Sequence, residues 1–462
     1  MNNTVIKFYR GCHGMGIVIS VTYDKDRVIF DFGAPFSPLS EIYDGTVKHR
    51  FENRVKDAIF LKRIPEIDGV FSKKDLQDLD VISYEDSEFN TAILICHLHL
   101  DHMSEIDKVH PNIPVYIHED GLKMLETIDE MEDNYIYRSY NGFKYGDVIN
   151  VGKIKITTYF SDHPCAGSTS FFIETPDSKI LYTGDIRYHG VNRNKAFEVM
   201  EQFNDKNIDL LIIDSTTTSP SEFIMNDELK NEYSKPSKTI LPGSILEEDI
   251  YQDTYKTLKD FDGVGVFNMY PRDISMLKNM YELGYKLNRT TVFEPYYANI
   301  LYILTGIAPT VIEPNISHNE PYIERLKNVC NFVTIDDIKN SPNKYLLQNS
   351  YRNILNLIDL DSIKGKYFHL LGEPLVKGTK EYNIMCNFIE KLNWEFKTYI
   401  NLYSFSHAYP NHLAYVIQQI NAKSVVAVHS KHPENLTPMN SKQYFPIEGI
   451  DYYLKNGELI EK

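Results

Sequence analysis

The chain has 462 residues, which is too long for one hydrophobic core, so we expect two or three folding units. Its 42% hydrophobic and 24% charged residues are typical of a globular protein, and no apolar run approaches the roughly 20 residues of a membrane helix. The formal net charge of −16 would repel a polyanion at long range, so binding one needs a local basic patch or metal ions. Five cysteines without paired spacing, and an N-terminus without a signal pattern, predict a cytoplasmic protein with no membrane partner.

Strands and turns dominate the first third of the chain. We predict strands over 17–21 and 27–32, a helix-and-loop segment over about 40–80, and a buried strand over 92–96. After them we predict a strand over 115–117, a helix over 119–130, and strands over 154–159 and 170–174.

The segment directly after the strand over 92–96 carries three imidazoles and one carboxylate within six residues. They are His97, His99, Asp101 and His102. Imidazole nitrogens and carboxylate oxygens are ligands of Zn²⁺, and four such donors so close together suit two neighbouring ions better than one tetrahedral ion. The sequence therefore predicts a metal site where this strand ends.

Further polar residues follow other apolar runs. Asp185 and Asp214 each end such a run, and His163, His407 and His429 follow later in the chain. From about residue 220 helix and strand alternate, which predicts a parallel sheet, and the earlier pattern returns near 394. We therefore expect a first domain, residues 1–219, interrupted by a second, residues 220–391, and completed by residues 392–462.

This combination resembles the metallo-β-lactamase superfamily, and more narrowly its β-CASP nuclease branch, whose members include ribonuclease J. The matching residues, all in the family's order, are Asp31 in FDFG, the HLHLDH segment, His163, Asp185, Asp214, His407 and His429. The resemblance implies an α/β protein, in which an αββα metallo-β-lactamase sandwich is interrupted by an inserted β-CASP α/β cap with a parallel sheet.

The resemblance also implies two zinc ions per chain. His97, His99 and His163 would bind one ion, Asp101, His102 and His429 the other, and Asp185 would bridge them. Asp31 would support the site from behind by orienting a ligand imidazole. Two such ions would activate a water molecule and neutralise a phosphodiester oxygen.

The resemblance further implies that the catalytic residues are Asp101, Asp214 and His407, with His407 placing a proton or positive charge on the leaving oxygen. The family has Ser-Gly before the histidine at the position of His407, whereas this chain has Phe405 and Ser406. The hydroxyls of Ser404 and Ser406 are nevertheless candidate contacts to the substrate.

Single residues also have simpler interpretations. Asp214 could cap the turn after its strand, and His407 or His429 could be structural residues of the interior. Cys96 is expected to fill the core, His432 to lie on a solvated loop, and His189 to be incidental or close enough to reach the substrate.

The resemblance predicts a zinc-dependent ribonuclease that cuts single-stranded RNA, as an endonuclease, a 5′–3′ exonuclease or both. A histidine at position 429 is typical of the RNA-acting members, whereas the DNA-repair members have an aliphatic residue there. The alternatives are a DNA-acting nuclease of the same branch, a hydrolase of a small ester or thioester, and a subunit without activity. The oligomeric state stays open, and a homodimer is one of the states considered.

Overall fold

The structure is a computed structural model that describes residues 3–35, 47–48, 50–132, 138–218, 234–314, 320–399, 406–436, 438 and 440–462. Among these residues, no helix is both long and apolar enough to cross a bilayer. The described strands are, in chain order, β1 (Thr4–Arg10), β2 (Val18–Tyr23), β3 (Asp26–Phe30), β4 (Asn90–Leu94), β5 (Val115–His118), β6 (Asn141–Phe143), β7 (Val148–Val151), β8 (Ile154–Phe160), β9 (Thr169–Glu174), β10 (Lys179–Tyr182), β11 (Leu210–Asp214), β12 (Val264–Met269), β13 (Thr290–Phe293), β14 (Thr310–Ile312), β15 (Phe332–Val333), β16 (Tyr345–Gln348), β17 (Gly365–Leu370), β18 (Glu395–Thr398), β19 (Ser424–Val428), β20 (Lys442–Tyr444), β21 (Asp451–Lys455) and β22 (Glu458–Glu461).

Helices lie between these strands. The described α-helices are α1 (Arg54–Phe60), α2 (Lys73–Leu76), α3 (Leu100–Met103), α4 (Glu119–Met131), α5 (Arg193–Glu201), α6 (Glu247–Leu258), α7 (Ile274–Lys286), α8 (Pro295–Thr305), α9 (Pro321–Val329), α10 (Ile335–Asn340), α11 (Lys380–Lys391) and α12 (Pro410–Ile420). Described 3₁₀ segments are Phe51–Asn53, Tyr84–Asp86, Ile106–Lys108, Thr216–Thr218, Pro342–Lys344, Tyr351–Leu360 and Pro433–Asn435.

The first sheet has the strand order β22-β21-β1-β2-β3-β4-β5-β6. Pairing is antiparallel from β22 to β3 and parallel from β3 to β6. Side chains of β1 alternate between buried and half-buried positions, because successive residues of a strand point to opposite faces. The C-terminal hairpin of β21 and β22 pairs with β1, so the two ends of the chain share one sheet.

The second sheet has the strand order β20-β19-β11-β10-β9-β8-β7. Pairing is antiparallel from β7 to β10, and β10, β11, β19 and β20 run parallel. All five residues of β11 and of β19 are buried, as expected for central strands that are covered on both faces.

The two sheets pack face to face around a shared apolar core. Phe8, Val28 and Leu94 of the first sheet meet Phe171 and Ile212 of the second. The outer face of the second sheet is covered by α5 and α12, and that of the first by α1, α4 and the segments around them. This αββα sandwich confirms the predicted α/β fold class.

The third sheet is built only from strands between β11 and β19, in the order β15-β14-β13-β16-β12-β17-β18, and every pairing is parallel. Helices α6 to α11 alternate with its strands, as parallel connections require. We propose that this sheet and its helices form the inserted unit. Its predicted start at residue 220 lies outside the described residues. Its predicted end at 391 precedes β18, which pairs with β17, so we propose an end after Thr398.

Candidate metal centre

Strand ends bring the site residues together. Strands β3 and β4 are parallel neighbours in the first sheet, and Asp31 and the 97–102 segment follow them. Strands β10, β11 and β19 are parallel neighbours in the second sheet, and Asp185, Asp214 and His429 lie at or just beyond their ends. The carboxyl ends of parallel neighbours lie at the same edge of a sheet, so distant residues meet there.

Gly33 allows the first sheet to approach the 97–102 segment closely. A Cβ atom at this position would lie 1.9 Å from the backbone carbonyl of Asp101, so a larger residue does not fit. The backbone N–H of Phe32 donates to the carbonyl of His102 over 2.7 Å. The FDFG motif therefore fixes the start of α3, which carries Asp101 and His102.

The carboxylate of Asp185 lies at the centre of the site. Its Oδ2 atom is 3.2 Å from Nε2 of His102 and 3.6 Å from Nε2 of His97. The same oxygen is 3.7 Å from Nε2 of His163 and 3.9 Å from Nε2 of His429. One buried carboxylate oxygen is thus surrounded by four imidazole nitrogens from both sheets.

The donors form groups of the size that a metal ion needs. In each group, the possible ligand atoms lie within 4.8 Å of one another. One group contains His97, His99, His163 and Asp185, and another contains Asp101, His102 and His429. A third combines Asp185 and His429 with Asp214 and His407, and a fourth combines Cys96 with His97 and His102.

Asp31 orients the imidazole of His102. A carboxylate can only accept, so Nδ1 of His102 donates to Oδ2 of Asp31 over 3.0 Å, and its Nε2 atom faces Asp185. The hydroxyl of Tyr182 donates to the same oxygen over 2.6 Å, and the N–H of Cys96 donates to Oδ1 over 2.7 Å. Asp31 thus accepts hydrogen bonds from three groups beside the cluster, and its role as a support of the site stays a prediction.

Two further imidazoles are oriented in the same way. Nδ1 of His163 donates to the backbone carbonyl of Ser406 over 2.9 Å. Nδ1 of His429 donates to the hydroxyl of Thr216 over 2.6 Å, because that hydroxyl itself donates to Oδ1 of Asp214 over 2.7 Å. In each ring the Nε2 atom then faces the centre of the site, which is the arrangement that metal-binding histidines require.

The electrostatics divide the imidazoles into two sets. Burial lowers the pKa of His97 and His163 well below 6.5, and lowers the pKa of His99 to about 3. These three rings are neutral, which is the form that binds metal ions. For His102 and His429 burial acts in the same direction, but the nearby carboxylates outweigh it and raise the pKa of both.

His407 and Asp214 form a partly buried ion pair beside the cluster. Nδ1 of His407 donates to Oδ2 of Asp214 over 2.8 Å, and lies 4.0 Å from Oδ2 of Asp185. Burial opposes the charged ring, yet the Asp214 carboxylate outweighs it and raises the pKa of His407 to about 9. Asp214 also accepts from the N–H of Thr216 over 3.0 Å, so it caps the following turn as well.

The donor set fits divalent cations. The Nε2 atoms of His97, His99 and His102 are buried and have no hydrogen-bond partner among the described residues. A buried polar atom without a partner costs free energy, and three of them on the 97–102 segment leave a deficit that cations would satisfy. The fold and these His/Asp groups together imply a divalent-metal site.

The remaining predicted residues have different placements. Ser404 lies outside the described residues, and Ser406 is buried and reaches the cluster through its carbonyl. His432 is exposed and pairs with Glu434, and burial raises the pKa of Cys96 well above its usual range, in keeping with a core role. His189 is fully buried against the ring of Tyr409.

Three contributors were not identified from the sequence. Tyr182 holds Asp31, Thr216 joins Asp214 to His429, and Arg272 reaches the loop of the histidines from the third sheet. The hydroxyl run that follows Asp214 is a signal that could have indicated Thr216. Nothing local in the sequence distinguishes Tyr182 or Arg272 from other residues at strand ends.

Parts of the chain are similar in sequence to known proteins. Residues 82–244 match the family model of the β-lactamase superfamily domain. Ribonuclease J of Pyrococcus abyssi is 22% identical over 252 residues, which cover 51% of this chain and 51% of the relative. An RNase J-like protein of Methanocaldococcus jannaschii is 27% identical over 256 residues, which cover 53% of this chain and 47% of the relative.

The chain spans about half the length of the curated relatives it matches. A crystal structure of a protein of unknown function from Enterococcus faecalis V583 superposes with a TM-score of 0.77 at 24% identity. That match covers 98% of this chain and 100% of the other, so the two proteins share their fold. The chain is therefore similar to the β-lactamase superfamily domain over residues 82–244 and resembles the ribonuclease J-like, β-CASP branch of that superfamily.

Proposed function

We propose that this protein is a metal-dependent hydrolase that cleaves phosphodiester bonds in single-stranded RNA. The observation that carries the proposal is the position of Asp185 Oδ2, which lies within 3.9 Å of four imidazole nitrogens from three separate segments of the chain. A structural role alone would not require so many buried nitrogens around one carboxylate.

Two zinc ions are the proposed cofactors, in the two donor groups that the resemblance implies. His97, His99 and His163 would hold one ion and Asp101, His102 and His429 the other, with Asp185 between them. When bound, such ions lower the pKa of water and neutralise the charge of a phosphate oxygen. By neutralising this charge, the ions would also let a protein of net charge −16 bind a polyanion locally.

His407 is the proposed general acid. Asp214 holds the Nδ1 proton, keeps the ring charged and fixes its orientation, so we assign the Nε2 proton to the leaving oxygen. The side chains of His407 and Asp101 are 12% and 16% exposed, whereas those of His97, His102, His163 and Asp185 are at most 3% exposed. We therefore expect the substrate to approach from the side of His407 and Asp101.

We favour RNA over DNA as the substrate because His429 lies in the cluster. The RNA-acting members of the branch that the chain resembles have a histidine at this position. The relatives named ribonuclease J and RNase J-like protein support the same substrate class. The inserted unit would form the other wall of the substrate groove.

The test uses one single-stranded oligonucleotide sequence, made as RNA and as DNA and labelled at the 5′ or the 3′ end. Protein depleted of metal with a chelator should be inactive, and added Zn²⁺ or Mn²⁺ should restore cleavage of the RNA. Mononucleotides released from the 5′ end would indicate an exonuclease, and internal fragments an endonuclease. A metal-bound protein that cleaves neither strand, but hydrolyses a small ester, would overturn the proposal.

A further inference from the structure

Arg272 connects the inserted unit to the loop of the proposed metal ligands. It lies in the turn between β12 and α7, at the carboxyl end of a central strand of the third sheet. Asp273 fixes this turn, because its Oδ1 atom accepts from the N–H of Met276 over 2.9 Å and from the hydroxyl of Ser275 over 2.8 Å. The Arg272 side chain is therefore presented from a rigid position, and it is buried.

The guanidinium of Arg272 reaches the backbone of the ligand loop. Its Nη1 atom donates to the carbonyl of Leu98, in a buried contact between residues 174 positions apart. Leu98 stands between His97 and His99, and its side chain is fully buried in the core beneath them. The carbonyl belongs to the peptide that leads into His99, so this hydrogen bond restrains the backbone from which that imidazole projects.

A second residue of the same turn touches the same imidazole. The ring of Tyr270 meets the ring of His99 edge to face, with centroids 5.4 Å apart and planes at 75°. His99 thus has its backbone held by Arg272 and its ring packed by Tyr270. Both contacts come from the inserted unit, whereas His99 and the other proposed ligands belong to the sandwich.

Two other contacts between the units lie away from the ligand loop. Arg325 pairs with Glu130, and the hydroxyl of Tyr296 donates to Glu132 over 2.9 Å, where α8 and α9 meet α4. The Arg325–Glu130 pair is about one-third exposed. These contacts can hold the units together without Arg272, so a structural role for the junction and a role at the ligand loop can be separated.

We propose that Arg272 is a positioning residue that holds the ligand loop in its metal-binding conformation. Metal affinity then depends on the seated position of the inserted unit, in which Arg272 contacts this loop. The inference rests on the proposed function, because it takes His97 and His99 to be metal ligands. By linkage the coupling is reciprocal: metal binding in turn favours the seated position of the inserted unit.

The test compares Arg272→Met, Arg272→Lys and the matched control Arg325→Met. The Zn²⁺ dissociation constant is measured by competition with a chelator, the Co²⁺ absorption spectrum reports ligand geometry, and thermal unfolding of the metal-free proteins reports stability. Arg272→Met should weaken Zn²⁺ binding by about 10- to 100-fold and alter the Co²⁺ spectrum, as expected for residues that support metal ligands. The Zn²⁺ dissociation constant of Arg272→Lys should lie between those of Arg272→Met and the unsubstituted protein. Arg325→Met should change Zn²⁺ affinity by less than about fivefold.

Arg272→Met could instead strengthen Zn²⁺ binding, because removing a positive charge near the cluster would by itself favour a divalent cation. Unchanged or tighter Zn²⁺ binding by a folded Arg272→Met would therefore overturn the inference. If that variant does not fold, Arg272→Lys decides, and affinity equal to that of the unsubstituted protein would overturn the inference. An unsubstituted protein that binds no metal would instead refute the proposed function.

Discussion

Replacing His407 by alanine tests whether this residue transfers a proton without binding the metal ions. The imidazole donates to Asp214 over 2.8 Å and lies 4.0 Å from Asp185, next to the cluster but outside both proposed zinc-ligand groups. His407→Ala should therefore keep the bound metal while losing most of the cleavage activity. Asp214→Asn should have the same kind of effect, because Asp214 acts through His407.

The magnitude follows from the role and from the charge of the ring. General acid catalysis contributes about 10²- to 10⁴-fold, so the loss in His407→Ala corresponds to about 2.7–5.4 kcal/mol of transition-state stabilisation. With a pKa of about 9, His407 is about 97% protonated at pH 7.5, against about 9% at the ordinary value of 6.5. Asp214 makes the largest of the interactions that raise this pKa, so Asp214→Asn should reduce the protonated fraction of His407 at pH 7.5. The reduction should be smaller at lower pH, since the acid form is lost as pH rises through the pKa.

The assay combines single-turnover cleavage of 5′-labelled RNA with elemental analysis of the same preparations. His432→Ala is the matched control, because His432 is an exposed histidine that pairs with Glu434 outside the cluster. We expect the double variant of His407 and Asp214 to be no worse than the worse single variant, since groups that act as a unit are not additive. Loss of metal in His407→Ala, or a loss of activity below about tenfold, would refute the assignment.

Three other predictions concern metal affinity and stability. Asp185→Asn should weaken Zn²⁺ binding by at least about 100-fold, because it removes a shared ligand, and chelator competition that gives unchanged affinity would exclude a bridging role. Asp31→Asn should weaken it by about 10- to 100-fold through His102, and a normal dissociation constant would count against an orienting role. Burial and the Glu247 carboxylate raise the pKa of Asp273 from 3.8 to about 6. The protonated side chain therefore contributes to the stability of the folded protein below pH 3.8, and this contribution is lost as pH rises through 6. Asp273→Asn, which can still cap α7, should therefore add about 1–3 kcal/mol to the free energy of unfolding at about pH 8 and little at about pH 4; equal urea midpoints at the higher pH would contradict this.

Much of the site could be predicted because its residues stand in recognisable local settings. The strand before His97, the closely spaced donors after it, and the acids that end two further apolar runs are all visible along the chain. The change from antiparallel segments to alternating helix and strand also indicated a separate sheet, and a parallel sheet is present there. These features depend on residues close in sequence, so local pattern is enough to find them.

Local patterns along the chain thus identify the available donors and place each of them at the end of a strand or beside one. Their convergence on one centre depends on the fold, because the pairing of β10, β11 and β19 brings Asp185, Asp214 and His429 to one edge of the second sheet. The contact of Arg272 with Leu98 and the extension of the third sheet to β18 depend on the fold as well. Contacts between residues so far apart depend on how whole sheets pack, and no local pattern of hydrophobic or polar residues encodes that arrangement.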